Sequence, residues 1–270
     1  MDKIGFIGAG NVTKAIITGM ARNKFDLKRI YINSKTNETK ESLSVDLMVL
    51  CAKDNVDLVK KCKYIFLAIK SHHYKHVFDE IKPYLDPKEH VIISLAPGYS
   101  IREINENIGL FNLKCMRAMP NIPSLVGEGM TGVYYDKHLF TSEEIEKINA
   151  IFKGFGEIQS LDEEEHMDTL VSISASSPAY VYIMIEAMGD AGVLTGLPRK
   201  MSYALAAQAV MGAAKMVKEL DLHPGELKDA VCSPGGTTIE AIKVLEDRGF
   251  RSALIESMLA CYNKAKHLKR

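Results

Sequence analysis

Apolar residues follow two different rhythms along the chain. The runs at 3–7, 29–32, 46–49, 64–69 and 90–94 are short and nearly continuous, as expected of strands buried on both faces of a parallel sheet. Helical patterns at 15–20, 56–61 and 72–84 fall between them, and this repeated order predicts a doubly wound α/β sheet. Further strands are expected at 113–117, 132–135 and 156–160, with a helix over 142–153 capped by Ser142. After residue 160 the strand patterns stop. The acidic run 162–165 reads as the first turn of a helix through Met167, Leu170, Val171 and Ile173, its charge facing the positive end of the helix dipole. Long helices follow over 178–194 and 199–220, the second closed before His223-Pro224-Gly225. Both are apolar around most of their circumference, more than a domain of roughly a hundred residues can cover alone. A homodimer through these helices is therefore expected.

Length fits this division. At 270 residues the chain sits near the size at which single cores split, and the expected domains are 1–160 and 161–270. Lys+Arg and Asp+Glu both number 34, and no dense basic run offers a nucleic-acid footprint. The cysteines, Cys51, Cys62, Cys115, Cys232 and Cys261, are odd in number and lack a C-x-x-C pair, which reads as reduced thiols of a cytoplasmic protein. The first residues enter a strand pattern at once, so no signal peptide is expected. No apolar stretch is judged to approach the ~20 residues that span a bilayer, so no membrane partner is expected.

The candidate chemistry starts at the first strand. It runs into Gly8-Ala9-Gly10-Asn11-Val12-Thr13 and then a helix, the context in which a G-x-G-x-x-G pattern signals a dinucleotide pyrophosphate site. Gly8 permits the tight turn, Gly10 lets the phosphates approach, and Thr13 stands where Gly or Ala is usual. The second strand ends at Asn33, Ser34, Lys35 and Thr36, with no acidic residue to hold a ribose 2′-hydroxyl. Donors and one positive charge there favour a 2′-phosphate, hence NADP(H) over NAD(H), although the same residues also suit a solvated turn. Asn55, Ala68-Ile69-Lys70 and Ala96-Pro97-Gly98 lie at or after strand ends and are candidate cofactor contacts. His72, His73 and His76 lack the further ligands of a zinc site, so no metal is assigned and a solvated or capping role is expected. In the helical half, Ser233-Pro234-Gly235-Gly236-Thr237-Thr238-Ile239 joins two helical patterns. Its bare N–H groups at a helix start suit a small carboxylate; a plain corner with Thr as N-cap is the simpler alternative.

Taken together, the chain resembles the pyrroline-5-carboxylate reductase family along essentially its whole length. The resemblance rests on residues 5–11, Ala68-Ile69-Lys70, Met119-Pro120-Asn121, residues 126–131, Ser177-Pro178-Ala179-Tyr180, Asp190-Ala191-Gly192-Val193, Gly196-Leu197-Pro198-Arg199 and, above all, His223-Pro224-Gly225 with residues 233–239. It implies an N-terminal Rossmann domain and an all-α substrate-binding and dimerisation domain, with further assembly into rings open. It also implies reduction of 1-pyrroline-5-carboxylate to L-proline by hydride from NAD(P)H. Carried over by position, Gly235, Gly236, Thr237 and Thr238 hold the substrate carboxylate, Thr238 bonds the ring nitrogen, and Glu164 is the nearby acid. Gly8, Gly10, Asn11 and Val12 take the pyrophosphate; Ser34, Lys35 and Thr36 surround the adenosine end; Asn55, Ala68, Ile69, Lys70, Ala96 and Pro97 lie along the cofactor. The chain departs from the family pattern at Ser71, His72, Pro97, Ile122, Ala175 and Ser177. These departures motivate two alternatives: an NADP(H)-binding sensor or scaffold with weak catalysis, and a reductase of another cyclic imine.

Overall fold

A computed structural model describes residues 2–267. They form two compact units, 2–176 with 261–267, and 177–260. The strands of the first unit are β1 (Ile4–Ile7), β2 (Ile30–Asn33), β3 (Leu50–Cys51), β4 (Tyr64–Leu67), β5 (Val91–Ser94), β6 (Lys114–Met119), β7 (Gly129–Tyr135) and β8 (Gly156–Ser160). They make one sheet of order β3-β2-β1-β4-β5-β6-β7-β8, in which only β6 and β7 run antiparallel.

Alternation along each central strand divides the core between two faces. Phe6, Phe66 and Ile93 pack on one face with Ile16, Ile17 and Met20 of α1 (Asn11–Arg22) and with Ile148 and Phe152 of α6 (Ser142–Lys153). Ile7, Ile65, Leu67 and Ile92 meet Leu58 of α3 (Asn55–Lys61), Val77, Phe78 and Ile81 of α4 (Tyr74–Ile81), and Ile104 and Ile108 of α5 (Ile101–Ile108). Phe6 and Phe66 stand opposite in register, their rings stacked at 4.7 Å. β1 pairs with β2 on one side and β4 on the other, so the strand order reverses at β1. A crevice at the carboxyl ends of β1 and β4 follows from that reversal.

Several elements differ from expectation. In place of a strand at 46–49, α2 (Asn37–Leu47) runs on to Leu47, Met48 turns left-handed at φ 53°, and the strand is Leu50–Cys51. Leu47 packs on the core from a helix, Met48 is exposed and Val49 is buried again, so the run is broken by the turn rather than extended as one strand. Both α2 and α5 escaped the periodicity, although α5 has a full capping box, Ser100 with Glu103, and a left-handed Gly109. The helix expected over 72–84 comes as a 3-10 turn at Ser71–His73, then α4, then a 3-10 turn at Lys82–Tyr84; Pro83 lacks the N–H needed to continue the ladder. α6 is capped by Thr141, not Ser142, with Glu144 completing the box. The acidic run forms a turn rather than a helical one, and α7 (His166–Leu170) begins after it.

Met167 and Leu170 of α7 bury against Met119, which draws residues 161–176 into the sheet unit. A π-helical turn, Val171–Ala175, then leads into α8 (Ser177–Leu194). The helical run His166–Leu194 is long and apolar enough to cross a membrane, with a mean hydropathy of 1.2 over its best window, contrary to the expectation that no stretch approaches that length. The second unit continues with α9 (Arg199–Leu220), α10 (Pro224–Ala230), α11 (Thr237–Asp247) and α12 (Phe250–His267), whose last turns return to the first unit. Tyr182, Ile183 and Leu194 of α8 and Leu205 and Met211 of α9 are exposed.

Candidate active site

The turn after β1 is fixed by backbone demands. Gly8 lies at φ +109°, its N–H donates to the Asn33 carbonyl at 2.8 Å, and a Cβ there would stand 2.4 Å from the Ala68 carbonyl oxygen. The ends of β1, β2 and β4 thus meet at a position only glycine fills. Gly10 is different. Its φ of −84° is ordinary, and a Cβ would meet nothing within 4 Å. Nothing in the protein requires glycine at 10; the open space lies before the uncapped N-terminus of α1, whose first turn carries no acidic residue. That combination fits a phosphate group. Thr13 is fully buried, and its hydroxyl donates to the Gly8 carbonyl at 2.6 Å, so the departure at the third position is absorbed by a hydrogen bond.

A cleft of about 590 Å³ opens beside this turn. Its walls are Gly8 and Gly10, the Asn33-Ser34-Lys35 end of β2, Asn55 at the start of α3, and Ala68-Ile69-Lys70 after β4. His72, His73, His76 and Glu80 complete it from the segment through α4. Asn33 Nδ2 donates to Asn55 Oδ1, and Asn55 Nδ2 donates to Glu80 Oε2, both at 2.7 Å, so Glu80 sets the orientation of Asn55. A second cavity of about 380 Å³ shares Ala68, Ile69 and Lys70 and adds Val12, Ala96 and Pro97. Asn11 borders a separate depression with Gly10 and Lys14. Thr36 stands outside all three as N-cap residue of α2, its hydroxyl 2.7 Å from that of Thr39. Most of the cofactor candidates therefore share adjoining walls.

Sequence reasoning missed Glu80 and gave the histidines a solvated or capping role. Positions 73, 76, 77 and 80 follow the helical i, i+3, i+4, i+7 spacing, so the shared face was available as a signal. Among the described residues no cluster of His, Cys, Asp and Glu could hold a metal. Burial pushes the Cys62 and Cys115 thiols up to about 12, which keeps both protonated.

Glu164 lines a fourth region, with Ile101, Arg102 and Tyr134. Its Oε1 accepts from the Ile101 backbone N–H at 2.8 Å, at the start of α5, and from Arg117 Nη1 at 3.0 Å. Asn121, in the Met119-Pro120-Asn121 motif, also works within this unit: its Oδ1 accepts from the Met130 N–H at 2.9 Å. In the second unit Gly235 holds φ +67°, and Gly236 is the N-cap residue of α11. Thr237 and Thr238 are the first two helical residues, so Thr is not the cap. No side chain caps this helix start, which leaves its N–H groups open to a ligand.

Residues 164–268 match the family described as pyrroline-5-carboxylate reductase dimerisation, and residues 3–98 match one described as NADP oxidoreductase coenzyme F420-dependent. The pyrroline-5-carboxylate reductase of Escherichia coli (strain K12) is 42% identical over 269 residues, covering 99% of this chain and 98% of the relative. The chain belongs to the pyrroline-5-carboxylate reductase family. A soybean (Glycine max) member is 36% identical over 98% of this chain and 95% of its own length. Among solved structures, the pyrroline-5-carboxylate reductase of Coxiella burnetii superposes with a TM-score of 0.90 at 31% identity, covering 100% of this chain and 99% of that one. That of Plasmodium falciparum, solved with NADP bound, gives 0.85 at 32% identity, covering 100% and 98%. Like these reductases, the chain is an NADP-type oxidoreductase with a Rossmann-like sheet and a helical dimerisation region.

Proposed function

We propose that this protein reduces 1-pyrroline-5-carboxylate to L-proline with NADPH, the last step of proline synthesis. The observation that carries the reading is the pairing, in one chain of this family, of an α1 start open to a phosphate with an α11 start open to a carboxylate.

Bound NADPH supplies the hydride. Gly8, Gly10, Asn11 and Val12 hold its pyrophosphate, Ser34 and Lys35 with the neighbouring Thr36 its adenosine end, and Asn55, Ala68, Ile69, Lys70, Ala96 and Pro97 its length. Gly235, Gly236, Thr237 and Thr238 hold the substrate carboxylate by backbone N–H groups, where a helix start contributes about 0.3–2 kcal/mol toward an anion. An imine carbon accepts hydride readily only when its nitrogen is protonated or strongly hydrogen-bonded. The Thr238 hydroxyl serves that nitrogen, directly or through a water, and orients the ring. A hydroxyl is too weak an acid to be the free-standing proton source, so its part is stabilisation or relay. Glu164 is the acid assigned near the substrate, and its Oε1 is already shared between Arg117 and Ile101.

The exposed apolar faces of α8 and α9 are covered by a second copy of the chain rather than by lipid. Glu186 and Asp190 on α8 argue against a bilayer span. Light scattering on the purified protein is expected to give a dimer or a ring of dimers; a stable monomer overturns this. The reaction is tested by adding 1-pyrroline-5-carboxylate to protein and NADPH. Nicotinamide absorbance falls and L-proline accumulates; no turnover at high protein concentration overturns the assignment.

A further inference from the structure

The three histidines for which the sequence suggested a solvated or capping role stand in the cofactor cleft, with Lys35 and Lys70 on the same walls. The His72 and His73 rings are 4.1 Å apart. Charged groups reach the cleft from each neighbouring element: Lys35 from the end of β2, Lys70 from the end of β4, and His76 and Glu80 from α4. Glu80 is engaged by the Asn55 amide, so it lies at the closed end of the Asn33–Asn55–Glu80 chain. Apart from the engaged Glu80, the rim is thus a cluster of lysines and histidines converging on one space.

Building on the cofactor reading above, we propose that His73, with His72 and His76, makes recognition of the cofactor's 2′-phosphate depend on pH. The shared cleft and one electrostatic observation support it, with two general properties of the groups involved. Partial desolvation, then the positive charges of His72, Lys35, Lys70 and His76, hold His73 below its ordinary value, so these neighbours by themselves oppose a further proton. A dianionic group placed among these side chains reverses the sign of the local field and makes protonation favourable. Histidine is also the side chain whose charge changes between pH 5 and 8. NADP carries one more phosphate than NAD, with a second ionisation near pH 6, so the extra recognition is confined to the 2′-phosphate. Ser34 and Lys35 supply standing contacts to that group, and His73 adds a component that grows as pH falls from about 8 to 6.

The test is calorimetric titration of the full-length protein and of a His72→Gln/His73→Gln/His76→Gln variant with NADP+ and, separately, NAD+, at pH 6.0 and 8.5. Circular dichroism melts check folding, and the single His73→Gln variant serves if the triple one fails to fold. The ratio of NADP+ to NAD+ affinity of the native protein is expected to exceed that of the variant by about tenfold at pH 6.0 and about twofold or less at pH 8.5. NAD+ is the internal control, since it lacks the group being read. Near pH 6.5 the native protein is also expected to take up more protons on binding NADP+ than the variant does, seen by repeating the titration in buffers of different ionisation enthalpy. Equal ratios at both pH values, or equal proton uptake, overturn the histidine inference and leave the cofactor assignment intact. Failure of both dinucleotides to bind overturns the cofactor reading and the inference with it.

Discussion

Arg117, only 2% exposed in the middle of β6, donates from Nη1 to Glu164 Oε1 at 3.0 Å, and the same oxygen accepts the Ile101 N–H at the start of α5. One carboxylate therefore neutralises a buried guanidinium, caps a helix, and fixes the turn where the chain leaves the sheet. Arg117 Nε and Nη2 have no partner among the described residues, so Glu164 is the charge on which the guanidinium depends. Glu164→Ala is expected to cost about 3 kcal/mol in urea unfolding of the full chain, because it strands that charge. The double variant Arg117→Met/Glu164→Gln is expected to recover to within about 1 kcal/mol of native. Additive losses in the double-mutant cycle would refute the dependence.

The two glycines of the first turn are expected to separate fold from binding. Gly8→Ala forces a side chain into a left-handed position against the Ala68 carbonyl, so the melting temperature falls. Gly10→Ala meets no protein atom, so the melting temperature holds while NADP+ affinity falls by about tenfold or more, the loss of roughly one phosphate hydrogen bond. Circular dichroism melts with calorimetric titration of both variants check this. A Gly10→Ala variant that binds normally would mean the phosphate lies elsewhere.

These contrasts mark what the residue pattern could and could not carry. The buried central strands and the glycine turn were legible because each is a local requirement: continuous apolar residues between two helical layers, and positive φ at Gly8. The partnership of Arg117 with Glu164 was not, since 47 positions separate them and nothing local marks it. Asn55 was legible as a strand-end polar residue, but Glu80, which orients it, lies 25 residues on and belongs to a helix whose start was misplaced. The strand expected at 46–49 failed because Leu47 ends a helix and Met48 makes an exposed left-handed turn, leaving only Val49 of that run buried in the core ahead of the strand at Leu50–Cys51.

Thr238 sits at the second position of α11. Thr238→Ala removes a hydroxyl but no backbone N–H, so on the proposed reading carboxylate binding is expected to be largely kept. Turnover is expected to fall by about one to two orders of magnitude, as for a lost hydrogen bond of about 1.5–3 kcal/mol to a charged group. NADPH affinity should stay within about twofold, since that change is only about 0.4 kcal/mol. Steady-state rates with direct NADPH titration decide; equal losses in both would place Thr238 in the cofactor site.

Acid sensitivity has an identifiable source in Glu144. Burial pushes its carboxyl up, but Lys114 at 2.5 Å, the Thr141 N–H at 3.1 Å and Lys63 at 3.9 Å outweigh that and hold it below its ordinary value of 4.5. A lowered folded value means the stabilisation is complete above pH 4.5 and is lost as pH falls through the folded value. Glu144→Gln is expected to cost about 1–2 kcal/mol at pH 7, with the gap to native closing in more acid solution. A gap unchanged between pH 7 and pH 3 would contradict this.

The central claim is hydride delivery from NADPH to the ring carbon of a cyclic imine whose carboxylate rests at residues 235–238. Incubation with 1-pyrroline-5-carboxylate and NADPH deuterated at the transferable nicotinamide position, followed by mass spectrometry, tests it most directly. The account predicts L-proline carrying one deuterium at the former imine carbon, in step with NADPH consumed; unlabelled proline, or label without proline, would contradict it.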